Sequence, residues 1–346
     1  MADGKMYWPE SVPPTIPYQR ALIFYKQGVQ TLFLQSQYEI PEQQNAAVLG
    51  WVVPVPAVPE VASMPAEEAQ HLFFRVDFRS RAKIISSGGV LLFLSVLVVA
   101  GLLLNIFLLT VFSKHMPIRW LAKNRKRLIF YLIVVFVFLA LVSLITPALS
   151  TVKKGVKTIA EHRVGIYNVR VIRSDDAAEL ITWLNANQFR YDETDQTLFA
   201  DYIAKGWCFV VAHIDPLADQ EKYEIVSRGL AAPLILRFPI TSPVYPLALT
   251  GTTGHETKVL VYLFADHKMT CNDRLTLRFC GQVAPDFFPS YVFDAVQPQG
   301  FFAQDDLSYT YLCKFRDTLR PEQMQDDIVF TRAKDNTFYR EFIFKW

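Results

Sequence analysis

Six histidines, three adjacent aspartate pairs and four cysteines are the residues of this chain whose chemistry could serve catalysis or metal binding. The histidines, His71, His115, His162, His213, His255 and His267, are scattered. No two of them have the i, i+4 or metalloprotease spacing that puts two ring nitrogens on one face. His255-Glu256, beside the Thr250–Gly254 turn, has the make-up of a loop acid/base pair, but a solvated polar turn is the preferred explanation. His213 lies in an apolar strand and reads as a hydrogen-bonded core residue. Asp175-Asp176 starts a helix, while Asp305-Asp306 and Asp326-Asp327 lie near predicted turns or helix ends. None sits in the D-x-D-x-D-G pattern of a calcium loop. A G-x-S-x-G elbow is absent. Gly251-Thr252-Thr253-Gly254 lacks the Lys-Ser/Thr that a phosphate loop requires.

Cys208, Cys271, Cys280 and Cys313 all fall in the last 196 residues, from 151 to 346. An even number permits two disulfides in an oxidising compartment, in any of three pairings, and Cys271 with Cys280 across a short connection is one expected pair. Buried free thiols are the alternative. Without a C-x-x-C pair a structural zinc site is not expected, and no cofactor is implied. Trp183 and Trp207 read as core anchors ahead of any ligand-stacking role.

The elements that must position these groups are dominated by two long apolar runs, Val90–Phe112 and Leu128–Ala148, neither holding a charged side chain. Each is close to the ~20 residues a helix needs to cross a bilayer. Two isolated runs cannot close a barrel, so a transmembrane helical hairpin is expected over residues 85–150. The loop 113–127 carries Lys114, Arg119, Lys123, Arg125, Lys126 and Arg127 with no acid. The positive-inside rule places that loop in the cytoplasm, where it could also meet anionic headgroups. Arg75, Arg79, Arg81 and Lys83 before the first run, and Lys153, Lys154 and Lys157 after the second, weigh against this orientation. Gly101 and Asn105 in the first span are residues that favour helix packing in lipid. A formal net charge of +2 gives no sign of a nucleic-acid partner.

Residues 1–84 and 151–346 make up the soluble mass. Gln19–Tyr25 and Val29–Tyr38 read as a β-hairpin turning at Lys26-Gln27-Gly28. Leu49–Val53 is a short strand, and the prolines of the Pro54–Val61 stretch that follows predict an extended edge without regular pairing. Pro65, Glu67 and Glu68 open a helix with Leu72, Phe73 and Val76 on its apolar stripe. Gly165–Ile172 reads as a strand. A helix from Ser174 to about Asn187, a second over about Gln196–Ala204 and a strand at Trp207–Ile214 follow in β-α-α-β order. Leu234–Phe238, Val244–Leu249, Lys258–Asp266 and Leu275–Cys280 are further strands, and a late helix is expected near Pro321. The class is α+β: a β-rich domain with a few helices, interrupted by the hairpin.

Three stretches resemble a bacterial family, the domain of unknown function 2330. The first is ADGKMYWPE…QRALIFYKQGVQTLFLQSQYE with GWVVPVPAVPEV; the second, VGIYNVRVIRSDDAAELITWLNANQF…LFADYIAKGWCFVVAHI; the third, LILRFPITSPVYPLALT, with an echo in YLCKFRDTLRPEQMQDDIVF. The resemblance implies an exported, membrane-associated domain of unassigned role and supplies no catalytic residues. It also implies that 1–84 and 151–346 are two parts of one domain with the hairpin inserted between them. MADGKMYWPE has no apolar signal core, so either the chain is a processed form, which the family's ADG opening favours, or the topology is inverted.

The expected function is therefore a non-catalytic, membrane-anchored extracytoplasmic structural or accessory subunit. It would sit in the bacterial cytoplasmic membrane by two passes, with the bilayer and other integral membrane subunits as partners. A ligand-binding or sensory envelope module is the alternative. Third comes a hydrolase, which would bring His255 or Glu256 against Pro54–Pro59.

Overall fold

In the computed structural model, residues 5–7, 16–37, 50–86, 155–189, 191, 193–214, 232–284, 287–288, 290–302, 309 and 311–345 are described. Both apolar runs, the basic loop with Lys114, Arg119, Lys123, Arg125, Lys126 and Arg127, the packing residues Gly101 and Asn105, and Asp305-Asp306 lie outside them. Among the described residues no helix is long and apolar enough to cross a membrane. The chain divides into two units: Met1–Ile84 with Lys154–Ile343, which is the α+β body, and Ile85–Lys153 with Phe344–Trp346.

After the short strand β1 (Lys5–Tyr7), β2 (Tyr18–Lys26) and β3 (Val29–Gln37) form the expected hairpin. Gln27 and Gly28 both have positive φ, 51° and 77°, as a two-residue primed turn demands. Then come β4 (Gly50–Val55), β5 (Glu60–Ser63), the helix α1 (Ala66–Arg79) and β6 (Lys83–Ser86). The chain continues through β7 (Val156–Val164), β8 (Tyr167–Ser174), α2 (Ala177–Ala186), α3 (Glu193–Ala204), β9 (Cys208–Ile214) and β10 (Leu234–Pro239). It ends with β11 (Val244–Tyr245), β12 (Thr257–Ala265), β13 (Met269–Thr270), β14 (Leu277–Gln282), β15 (Tyr311–Leu319), β16 (Ile328–Val329), β17 (Thr331–Arg332) and β18 (Tyr339–Arg340), followed by a strand at Phe342–Lys345.

An eight-stranded sheet has the order β18-β14-β15-β12-β2-β3-β10-β5, antiparallel throughout except for the parallel β12–β2 seam. A five-stranded antiparallel sheet has the order β1-β4-β9-β8-β7. Both sheets join strands from before residue 86 to strands from after residue 155.

Side-chain alternation sets the layers. Ala21 and Ile23 of β2 share one core with Cys208, Val210 and Ala212 of β9, so the two sheets pack face to face. Leu22 and Phe24 point the other way, to α1 and the phenylalanines Phe287, Phe288 and Phe293. Phe209 and Val211 of β9 meet Leu180 and Leu184 of α2 and Phe199 of α3 on the far face. The body is therefore helix, sheet, sheet, helices, a β-rich α+β architecture.

Four expectations change. Pro54 and Val55 do pair regularly, with Phe209 and Cys208 of β9. Among the described residues β1 pairs with β4 only from Gly50 to Val52, so beyond that point β4 has no second neighbouring strand among them, a setting that suits the proline. Val244–Leu249 is a two-residue strand followed by a helical turn at Ala248–Gly251, because the main-chain N–H groups of Leu247 and Ala248 bond to Asp327. The helix expected near Pro321 is a single 3-10 turn over Pro321–Gln323. β7 was not foreseen: its lysine, glutamate, histidine and arginine suit an exposed edge strand and mask the β pattern.

Candidate functional site

The residues that stand out for function gather around α1. Glu67 and Glu68 occupy its first turn and Arg79 its last, each complementing the helix dipole. Ala69, Leu72, Phe73 and Val76 are buried against the eight-stranded sheet. On another face of the same helix Phe74 is 70% exposed and Phe78 51%, their rings 6.3 Å apart as i, i+4 neighbours. The Arg81 guanidinium lies 4.4 Å over the Phe78 ring, and Arg75 donates to the hydroxyl of exposed Tyr291 at 3.3 Å.

The C-terminal strands extend this neighbourhood. Arg340 donates to the Arg79 carbonyl at 3.3 Å, and its guanidinium stacks over Phe279 and Phe338 at 5.1 and 5.7 Å. Phe338 is 64% exposed, and Tyr339, Phe342 and Ile343 are exposed as well. The Lys83 N–H, where the chain is about to leave the body, donates to the Glu341 carbonyl at 3.0 Å. Large aromatic side chains and arginines thus share one exposed region at the end of α1.

A partly buried polar cluster holds the helix there. Asp77 Oδ1 accepts from Lys314 Nζ and from the Tyr262 hydroxyl, both at 2.6 Å. Lys314 is buried, whereas half of the Asp77 side chain is exposed. Burial pushes the Asp77 carboxyl up, but hydrogen bonds from Lys314 and Tyr262, with the charges of Lys314 and Arg316, outweigh it and hold the group below its usual range. Burial, then the bond to Asp77, drives the Tyr262 phenol far above its ordinary value. The cluster thus clamps the end of α1 to β12 and β15 of the sheet beneath it. Arg20 donates twice to Gln35 Oε1, at 2.8 and 2.6 Å, and lies 4.1 Å over the Phe73 ring on the buried side of α1.

A family model described as an uncharacterized protein conserved in bacteria, DUF2330, matches residues 145–331. The chain belongs to this family. The matched span holds the second and third stretches that carried the resemblance, and α1 and the β2–β3 hairpin precede it. No curated protein matches the chain. Among solved structures, baculovirus P35 aligns over 96% of this chain and 100% of its own at 7% identity and a TM-score of 0.31, a likeness too low to carry any argument.

In this DUF2330 protein the four cysteines Cys208, Cys271, Cys280 and Cys313 are buried free thiols. The Cys271–Cys280 pairing is not formed. Asn272 and Asp273 take positive φ, turning the chain so that Cys271 Sγ accepts from Leu275 N at 3.3 Å and donates to its carbonyl at 3.4 Å. Cys208 Sγ accepts from Arg173 at 3.3 Å, and Cys280 faces Cys313 instead.

The remaining candidates are dispersed. His255 and Glu256 are exposed. His213 packs at a tilt against Phe189 with centroids 4.4 Å apart, and burial, then the Arg170 charge, lowers its pKa. Asp176 caps α2 by accepting from Ala178 N and Glu179 N. Asp327 Oδ1 accepts from Leu247 N, Ala248 N and the Tyr202 hydroxyl, and burial raises its pKa. Among the described residues no group of histidine, cysteine or acidic side chains could hold a metal. Trp183 and Trp207 are partly buried beside the α2–α3 core, while Trp51 of β4 is fully buried. An open groove of about 470 Å³ lies among Tyr25, Ser242, Asp266, His267 and Arg332.

Proposed function

We propose that this chain is a two-pass membrane protein whose α+β body rests on the outer face of the bacterial cytoplasmic membrane. There it serves, without catalysing a reaction, as an accessory subunit of a larger membrane assembly. The observation that carries this reading is the exposed aromatic and arginine surface of Phe74, Phe78, Arg81 and Phe338, with the partly buried Arg340 beside it, near the point where the body's chain leaves at Ile84. Aromatic rings concentrate at the boundary between headgroups and acyl chains. A lysine or arginine beside anionic headgroups gains about 1 kcal/mol. The first apolar run begins at Val90, and the six residues from Ile84 reach roughly 20 Å at most.

The two charge-free runs supply the spans, and loop 113–127 supplies the cytoplasmic return. Gly101 and Asn105 offer helix contacts to neighbouring subunits. The non-catalytic reading rests on the employment of the acidic candidates: Asp176 caps a helix, Asp77 clamps one, and Asp327 fixes a turn.

The test uses the full chain in nanodiscs carrying a photoactivatable phospholipid, with adducts located by peptide mass. Adducts on residues 66–79 and 338–343, in addition to the apolar runs, are expected. Adducts confined to 90–148 would overturn the surface placement. Release of the chain from membranes at alkaline pH would overturn the spans.

The groove at Tyr25, Asp266, His267 and Arg332 favours a second reading, a ligand-binding envelope module, because it offers both charge signs beside an aromatic wall. Thermal stabilisation by a member of a metabolite panel, lost in His267→Ala, would support it; a panel without a hit would count against it.

A further inference from the structure

Cys280 and Cys313 are direct partners across the antiparallel β14–β15 ladder, with their sulfurs 2.7 Å apart and both side chains buried. Facing residues on antiparallel strands have Cα atoms about 4.5–5.5 Å apart, inside the range of about 4.4–6.8 Å that a disulfide spans, so bonding the two sulfurs requires no shift of either strand. The other two thiols have other attachments: Cys271 is held by Leu275 in its own turn, and Cys208 lies in the second sheet beside Arg173. The Met269 N–H donates to Cys313 Sγ at 3.4 Å. The hydrogen bond from Cys313, aided by the charge of Lys268, outweighs burial and holds the Cys280 thiol below its usual pKa.

We propose that Cys280 and Cys313 are a redox pair that closes into a cross-strand disulfide by exchange with a small-molecule or protein disulfide. The Cys280 thiolate attacks one sulfur of the oxidant, whose S–S bond breaks and releases a thiolate. Cys313 then gives up its proton, attacks the Cys280 sulfur of the mixed disulfide and expels the second thiolate. Two protein thiols and one disulfide become one protein disulfide and two small thiols, with two electrons passed to the oxidant. The bond staples β14, whose other neighbour is β18: Cys280 pairs there with Tyr339 and Phe279 with Arg340. Closure therefore fixes the strand against which β18, with its exposed Tyr339, is paired. In an oxidising compartment the staple is closed, and in a reducing one it is open.

The test uses the full chain, purified in mild detergent under reductant and then held with oxidised glutathione, its remaining thiols alkylated after denaturation. Two of four thiols are expected to be lost, with peptide mapping joining the Cys280 and Cys313 peptides. The oxidised form should melt a few degrees above the reduced form, a difference absent from Cys280→Ser. Four thiols retained, or a crosslink through Cys208 or Cys271, would overturn the proposal. The outcome does not depend on membrane placement, because the exchange needs only the folded body.

Discussion

At the scale of single residues, Asp77 and Lys314 form an unequal pair. Lys314 is buried and Asp77 half-exposed, so the cost of breaking the pair depends on which partner is removed. Asp77→Ala leaves a buried ammonium facing only a phenol. The expected loss is roughly 2–3 kcal/mol, less than the ~3–5 kcal/mol of a fully enclosed pair, because water reaches the Asp77 side. Lys314→Met removes the buried charge and leaves a carboxylate that still accepts from Tyr262, so its loss should be under about 1 kcal/mol. Urea melts of the two variants check this, and equal losses would contradict it. Asp77 has a depressed folded pKa, so its contribution is present above its unfolded pKa of about 3.9 and is lost as pH falls through the folded value. An acid titration of stability should show that loss in the wild type and not in Asp77→Asn.

Asp327 runs the other way. Its folded pKa is raised by burial, so its contribution is full below about pH 3.9 and declines as pH rises through the folded value. All three of its hydrogen bonds go to Oδ1, which an asparagine retains. Asp327→Asn should therefore gain stability relative to wild type as pH rises from about 3.9 through the folded value. A relative loss over that interval would contradict the assignment. Neither aspartate's partners are visible in the sequence, because Asp77 lies 237 residues from Lys314 and Asp327 lies 80 from Leu247.

At the scale of elements, legibility follows locality. The β2–β3 hairpin, α1 and α2 are announced by adjacent residues: Gln27-Gly28 at the turn, Pro65 with Glu67 and Glu68, and Asp176 at the cap. The stripe Leu72, Phe73 and Val76 is legible too, but the exposed Phe74 and Phe78 are not. An apolar residue between stripe positions looks like core until the sheet beneath shows which side is covered. Long-range context also decides Pro54, which pairs with Phe209 of β9, and Pro321, where only one turn forms. Gly50 depends on such context: a Cβ there would stand 2.4 Å from Phe189 Cε1, a ring buried under α2 and α3. Gly50→Ala should cost about 1–3 kcal/mol by overpacking, and Phe189→Leu in the same chain should recover part of it. An unchanged melting temperature in Gly50→Ala would show that the ring has room to move.

At the scale of the whole molecule, each of the two main sheets is assembled from chain on both sides of residues 87–154. Residues 1–84 and 154–343 therefore make one body. The DUF2330 match supplies lineage for residues 145–331 and no chemistry. What suggests a role is the coincidence at one place of a departing chain, exposed aromatics and arginines, with a half-buried ion pair fixing the helix that presents them. The most direct measurement is the immersion depth of that helix. A nitroxide would be placed at residue 78, and in a second sample at the exposed residue 329, in the full chain in nanodiscs with anionic lipid. Relaxation by oxygen and by a water-soluble nickel chelate would then be compared. Placement on the bilayer predicts oxygen-dominated relaxation at 78 and chelate-dominated relaxation at 329; equal, chelate-dominated relaxation at both sites would contradict it.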